Sequence, residues 1–332
     1  MIRPKEAIVS ITNKCNLRCM MCDIPKVKDY LQIPTIKIKD LIDNLKEIKC
    51  KNIVFSGGEP LTHKDIFELI EFANQRGLKV CITSNGILIN KETAKKLALA
   101  GIDVINISID GNKETHEKLR GKNTFEKAVN GLKNLNKVDV ETTIATIVCK
   151  QNYKELLSVI KLAKDVGATT VRFQPFSEDF LDKKNDSFFI TEKEGLELER
   201  IIKQVVILAN KFHINTNPES YLNNISLMVQ NKLKPKPNKD CNALYETISI
   251  TNMGDVLPCF PMSDKPLGNI NKQRFIDIWN SNKYKKIRKE VRKGNCPGCL
   301  MSCYDNNFEN KIGKIKTIIS RLKNNLARKK WK

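Results

Sequence analysis

Cys15, Cys19 and Cys22, in the octet CNLRCMMC, are the residues of this chain with the most chemistry in them. The spacing C-x3-C-x2-C puts three thiolates on one tight loop, just after an apolar run, Ala7-Ile8-Val9-Ser10-Ile11, that reads as a strand. Thiolates favour soft metals, and cysteine runs at such spacings hold iron–sulfur clusters. A 4Fe–4S cube has one iron for each corner ligand, so three protein ligands leave one iron open. A pure electron carrier fills that corner with a fourth side chain. An open iron points to catalysis.

The first half of the chain supplies a frame for such a loop. Short β-branched runs near 7–12, 52–56, 79–84, 103–109, 141–148 and 170–174 alternate with helical patterns near 38–49, 64–77, 91–100, 124–136 and 153–167. Regular alternation of this kind predicts a parallel sheet, here an α/β fold built as a partial (β/α)6 TIM-type barrel. Chemistry in these architectures gathers at the C-terminal ends of the strands. The cysteine loop, Phe55-Ser56-Gly57-Gly58-Glu59-Pro60, Ser84-Asn85-Gly86 and Ser108-Ile109-Asp110-Gly111 all fall at such ends. Residues 177–189 then read as a polar loop and 191–212 as a long helix. KLKPKPNK, at 232–239, is a basic linker whose prolines cannot continue a helix. The expected units are 1–231, a small cysteine-rich domain at 232–310, and a tail at 311–332.

Cys241, Cys259, Cys296, Cys299 and Cys303 follow the linker. A run from Ile248 to Leu257, with turn residues Asn252-Met253-Gly254, reads as a hairpin that brings Cys241 towards Cys259. Cys296-Pro297-Gly298-Cys299 adds a second pair beyond a helical segment at 275–292, making a four-thiolate site. On spacing alone zinc and iron–sulfur are both open. Cys50, Cys81 and Cys149 sit in or beside apolar elements and read as small buried hydrophobes. His63, His116 and His213 are too scattered for a histidine metal site.

Together, CNLRCMMC and the downstream GGEP resemble the radical S-adenosylmethionine (radical SAM) superfamily. Cys241, Gly254, Cys259, Leu267-Gly268-Asn269-Ile270 and Ile278-Trp279 resemble its C-terminal SPASM/twitch extension. The resemblance covers roughly residues 5–305. It implies that S-adenosylmethionine chelates the open iron on Cys15, Cys19 and Cys22, and that its cleavage yields a 5′-deoxyadenosyl radical that takes hydrogen from substrate. It further implies that Gly57, Gly58, Glu59 and Pro60 meet the methionyl ammonium, with Glu59 as countercharge. Gly57 and Gly58 would let the backbone approach that ligand closely. Asn85, Ser108 and Arg120 are the other expected cofactor contacts, although Arg120 reads equally well on a solvated helix. One auxiliary 4Fe–4S cluster is expected on Cys241, Cys259, Cys296 and Cys299, with Cys303 either spare or a substitute for Cys299. Phe260 stands where sulfatase-maturating relatives carry an acidic residue, which argues against transferring their base chemistry. The single auxiliary cluster favours two-electron oxidation of a sugar, cyclitol or other small alcohol. The runner-up is a peptide maturase, and the non-enzymatic rival a metal-binding or redox scaffold.

Composition narrows the setting. The 332 residues are 41% hydrophobic, enough for a real core, and contain no apolar run long enough to span a membrane. No signal peptide is read, and eleven cysteines in such a chain indicate metal ligands in a reducing cytoplasm. The net charge is +21, and residues 311–332 hold nine Lys/Arg and no acid, leaving 21 − 9 = +12 for the rest. That remainder reads as lysine coating solvated faces or as a field for a phosphorylated small molecule or nucleic acid, and membrane contact by the tail would favour a lipid-linked substrate. Aromatics at 6%, without an aromatic-studded basic stretch, argue against nucleic acid. A reductant such as flavodoxin or ferredoxin is the expected protein partner. Ile312, Ile315, Ile319, Leu322 and Leu326 make the tail a basic amphipathic helix, suited to peripheral contact with an anionic membrane or to docking on the barrel. Arg172, the one strongly charged residue in the sixth strand, is expected buried and paired, either with an anionic group in the barrel or in a structural salt bridge.

Overall fold

The computed structural model describes residues 3–27, 29–230, 241 and 243–299. The linker expected at 232–239, Cys303 and the basic tail lie outside the described residues. Six strands, β1 (Glu6–Thr12), β2 (Asn52–Gly57), β3 (Lys79–Ser84), β4 (Val104–Ser108), β5 (Glu141–Val148) and β6 (Thr170–Pro175), pair in parallel with their sequence neighbours. Between and after them run α1 (Thr35–Glu47), α2 (Ile66–Gln75), α3 (Lys91–Ala100), α4 (Lys113–Arg120), α5 (Phe125–Asn136), α6 (Leu156–Val166), α7 (Glu192–Lys211) and α8 (Glu219–Val229). This is the expected partial (β/α)6 barrel.

The strand alternation explains the barrel. Val9, Phe55, Ile82, Ile107, Ile144 and Phe173 face the helices and are at most 1% exposed. Each such side chain contributes about 1.5–3 kcal/mol by leaving water. The opposite face is polar. Thr83 pairs with Asn106, Asn106 with Thr143, and Thr143 with Thr170, so one level of four strands presents only hydroxyl and amide groups. Asn106 Nδ2 donates to Thr83 Oγ1 at 3.3 Å and to Cys81 Sγ at 3.4 Å, which places Cys81 on the same face. Arg172 departs from expectation. It is exposed rather than buried, because the sixth strand ends the parallel row and its polar face is open. Burial pushes the Glu6 carboxyl up, against the pull of Arg172 and Lys79.

Beyond residue 240 the chain rejoins the same sheet. Strand β7 (Thr247–Ile250) runs parallel to β1, Glu6 opposite Thr247 and Val9 opposite Ile250. The expected hairpin follows, with β8 (Asp255–Leu257) antiparallel to β7 and Gly254 at φ +83° in its turn. A short β9 (Gly268–Asn269) completes a sheet of order β6-β5-β4-β3-β2-β1-β7-β8-β9. The single helix expected at 275–292 is two, α9 (Phe275–Asn280) and α10 (Asn282–Arg292). Ser281 breaks it with extended backbone, φ −62° and ψ 153°, and its hydroxyl caps α10 by accepting from Tyr284 N. The Ile276 amide donates to Asn44 Oδ1 on α1 at 3.1 Å, so the C-terminal unit is pinned to the barrel's first helix as well as its first strand. No helix among the described residues is long and apolar enough to cross a membrane.

Candidate active site

The cysteine loop leaves β1 at Thr12 and is stiffened by its own side chains. Asn13 Nδ2 donates to Asp29 O at 3.1 Å while its Oδ1 accepts from Leu31 N at 2.8 Å, tying the two ends of the loop together. Arg18 Nη1 donates to the carbonyls of Cys15 and Leu17 at 2.9 and 2.8 Å. Met20 N donates to Leu119 O at 2.8 Å, fixing the loop to the end of α4. Cys19 is buried, and Cys15 and Cys22 are half-buried. Burial pushes the Cys15 thiol up to about 11, opposed by the Leu17 N–H and reinforced by Glu59, Cys19 and Cys22. Cys19 and Cys22 thus push the Cys15 thiol up, and Cys19 pushes that of Cys22. Iron must displace their protons, which ties loading to pH.

The GGEP segment packs on this loop through its glycines. A Cβ on Gly57, whose φ is +123°, would lie 2.2 Å from Thr12 O, and one on Gly58 would lie 2.3 Å from Lys14 O. Both glycines are therefore demanded by the backbone leading into Cys15. The register between β1 and β2 shifts between Ser10 and Thr12, which sets Thr12 opposite Gly57. Gly58 N then donates to Thr12 O at 2.7 Å and Glu59 N to Lys14 O at 2.8 Å. Glu59 is tied down by its side chain. Its carboxylate is fully buried and accepts from Leu61 N at 3.2 Å, Ser84 Oγ at 2.9 Å and Asn85 N at 2.8 Å. It locks the segment to the end of β3. Burial, opposed by these three donors, pushes it up to about 7. Pro60 opens the turn that follows.

Asn85 carries the connection onward. Its Nδ2 donates to Asn16 Oδ1 at 2.7 Å and reaches Cys15 Sγ at 3.9 Å. Ser108 ends β4, half-buried on the polar face, opposite Ala145. Arg120 is not on a solvated surface. Its Nε donates to the fully buried Asp110 at 2.5 Å, and its charge pulls the Cys19 thiol down against the push of burial. Burial opposes the Arg120 charge, yet Asp110 and the thiols of Cys19 and Cys22 hold its pKa above the ordinary value. Asp110 Oδ1 also accepts from Ile147 N at 2.9 Å, and the Asp110 amide donates to His116 Nδ1 at 3.3 Å. Sequence reasoning missed Asp110, His116 and Asn16 as supports of the thiol loop. The Asn112 cap that starts α4 was the readable signal, since it fixes a helix carrying His116 and Arg120 back beneath Asp110.

The second cysteine set converges. Cys241, Cys259, Cys296 and Cys299 line one cavity of about 40 Å³, walled further by Leu244 and Met262. Burial pushes Cys259 up to about 12, and the other three thiols add to it. A pocket walled by four soft donors and apolar side chains suits an iron–sulfur cube with all corners ligated, and the three-cysteine loop suits one with a corner left over. Phe180 lies between the two sets. Its carbonyl accepts from Asp23 N, next to Cys22, at 2.9 Å, and its ring is 5.9 Å from that of Phe260, next to Cys259.

Known proteins agree with this layout. The family model of the radical SAM superfamily matches residues 9–163, and that of the SPASM iron–sulfur cluster-binding domain matches residues 241–316. An AdoMet-dependent heme synthase of Methanosarcina barkeri is 30% identical over 316 residues, 89% of this chain and 88% of the relative. Mycofactocin maturase MftC of Mycolicibacterium smegmatis is 29% identical over 302 residues, 87% of this chain and 74% of that protein. The crystal structure of Streptococcus suis SuiB bound to S-adenosylmethionine superposes with a TM-score of 0.70 at 19% identity, over 90% of this chain and 73% of that one, a likeness of fold.

Proposed function

We propose a function from one premise: the chain belongs to the radical S-adenosylmethionine superfamily and ends in its SPASM iron–sulfur cluster-binding domain. It is an enzyme of that superfamily, with 4Fe–4S clusters and S-adenosylmethionine as cofactors. The reaction in this reading is a two-electron oxidation of a small polar substrate, a sugar, cyclitol or other alcohol. The observation that carries the oxidation is the cavity walled by Cys241, Cys259, Cys296 and Cys299. A net oxidation needs an acceptor for the second electron, and this second site is where one is held. Cys303 remains the alternative to Cys299.

When bound, the cofactors supply a 5′-deoxyadenosyl radical to take hydrogen from substrate and a second centre to accept the electron that follows. The chain does the rest. Cys15, Cys19 and Cys22 hold the first cluster, and Arg120 balances the charge on Cys19. Gly57, Gly58, Glu59 and Pro60 shape the S-adenosylmethionine site through their backbone, with Asn85 and Ser108 as polar contacts beside it. The hydroxyl and amide row of Thr83, Asn106, Thr143 and Thr170 offers hydrogen bonds to a hydroxylated substrate. The barrel keeps water from the radical. The units fall at 1–231, 232–310 and 311–332, and the last gives peripheral membrane contact in a cytoplasmic enzyme reduced by flavodoxin or ferredoxin.

A second reading is a larger substrate, a tetrapyrrole or a peptide. The names of the Methanosarcina and Mycolicibacterium relatives favour it. Anaerobic reconstitution with dithionite and S-adenosylmethionine tests both. The first reading expects a polyhydroxylated substrate to raise 5′-deoxyadenosine release above the substrate-free level. Stimulation only by a porphyrin or a peptide selects the second, and no 5′-deoxyadenosine under any condition removes the enzymatic assignment.

A further inference from the structure

Behind the four-cysteine cavity lies a buried cation with no anion beside it. Helix α10 places Tyr284, Arg288 and Val291 at i, i+4 and i+7, on one face. Val291 lines the cavity, and so does Leu244. The Leu244 carbonyl accepts from Arg288 Nε at 2.8 Å, which ties the guanidinium to a residue of the cavity lining. Its Nη1 donates to Trp279 O at 3.3 Å, and its central carbon sits 4.1 Å from the Trp279 ring centre and 4.2 Å from that of Tyr284. Arg288 is 6% exposed, and Tyr284 is fully buried. Among the described residues no carboxylate acts on Arg288, and both its Nη2 and the Tyr284 hydroxyl lack a hydrogen-bond partner.

Carbonyls and ring faces offset only part of the cost of burying a full charge. The missing negative charge belongs to what fills the cavity, since a cube on four thiolates is anionic in either redox state. Tyr284 shares the α10 face of Val291, which lines the cavity, and burial keeps the phenol protonated and therefore a donor. Cluster potentials respond to nearby charge and to hydrogen bonds at the sulfurs.

The geometry points to Arg288 and Tyr284 as the positioning residues that set the reduction potential of the auxiliary cluster, stabilising its more negative, reduced form. This rests on the auxiliary-cluster reading given above. Removing either group moves the potential down and makes the site a poorer electron acceptor. The test is a potentiometric titration of the anaerobically reconstituted full-length holoenzyme, followed by electron paramagnetic resonance. The auxiliary signal is the one that added S-adenosylmethionine leaves unchanged. Arg288→Met and Tyr284→Phe are expected to shift its midpoint to more negative potential, with Arg288→Lys between wild type and Arg288→Met. Wild-type midpoints in Arg288→Met and Tyr284→Phe at full iron content overturn the proposal. Should Arg288→Met not fold, Tyr284→Phe, which removes a single oxygen, and Arg288→Lys decide it, and wild-type midpoints in both overturn it. About four rather than about eight irons per wild-type chain would instead sink the auxiliary-cluster reading itself, a separate failure.

Discussion

Asp110 fixes how much Arg120 matters, because neither can return to water. The carboxylate is at 0% exposure and the arginine side chain at 11%, and the guanidinium charge also acts on the Cys19 thiol. Asp110→Asn leaves a buried guanidinium with no countercharge, so a loss of about 3–5 kcal/mol is expected in urea unfolding of the apoprotein. The double variant Asp110→Asn with Arg120→Met should lose less than the sum of the singles, because the second change removes the orphaned charge. Glu59 gives a pH dependence with a fixed sign. Its carboxyl is pushed up to about 7 in the fold against an ordinary value of 4.5. The folded state therefore keeps a proton that the unfolded state has lost, so stability is full below 4.5 and falls as pH rises through 7. The loss is about 3 kcal/mol, and urea midpoints of the apoprotein across that window should show it. Glu59→Gln should remove the dependence.

At the scale of elements, the junction of β1 and β2 is the part most sensitive to a single atom. Gly58→Ala would set a Cβ 2.3 Å from Lys14 O, so the strand must move off the loop that carries Cys15. The expected outcome is selective: iron per chain falls to about half, with the auxiliary cluster retained. Metal analysis and the loss of the S-adenosylmethionine-responsive resonance check it, and retention of both signals would contradict the account. The strands were legible because alternation with period two marks which face is buried, and 79–84 and 141–148 read from sequence coincide with β3 and β5. Helix α3 was equally plain, with Asn90 as its cap and Gly101 ending it at φ +91°. Helix α8 was not, since ESYLNNISLMV opens on no capping side chain and carries two central asparagines. The break at Ser281 was missed because the amphipathic pattern runs on across it while the Asn-Ser-Asn triplet bends the backbone.

At the scale of the whole molecule, one sheet runs through both cysteine sites. The pairing of β1 with β7 joins residues about 240 apart, and no local pattern announces it. The same is true of Phe180, which touches the neighbours of Cys22 and Cys259 although its own surroundings read as a polar loop. What the sequence did reveal were the cysteine spacings, because ligand chemistry is written in residue type. The two sites are predicted to be separable in function. Cys259→Ala should lower iron to about half while leaving 5′-deoxyadenosine release measurable, with oxidised product abolished. Product formation at the wild-type rate would show that the second site takes no electron.

The central claim is that Cys15, Cys19 and Cys22 hold a cube whose fourth iron takes the methionyl end of S-adenosylmethionine. Electron–nuclear double resonance on the reduced, anaerobically loaded enzyme, with S-adenosylmethionine carrying nitrogen-15 in its amino group, measures that bond directly. The account predicts a nitrogen-15 hyperfine coupling to the first cluster, lost in Cys15→Ala. A fully loaded cluster that shows no such coupling at saturating S-adenosylmethionine would contradict it.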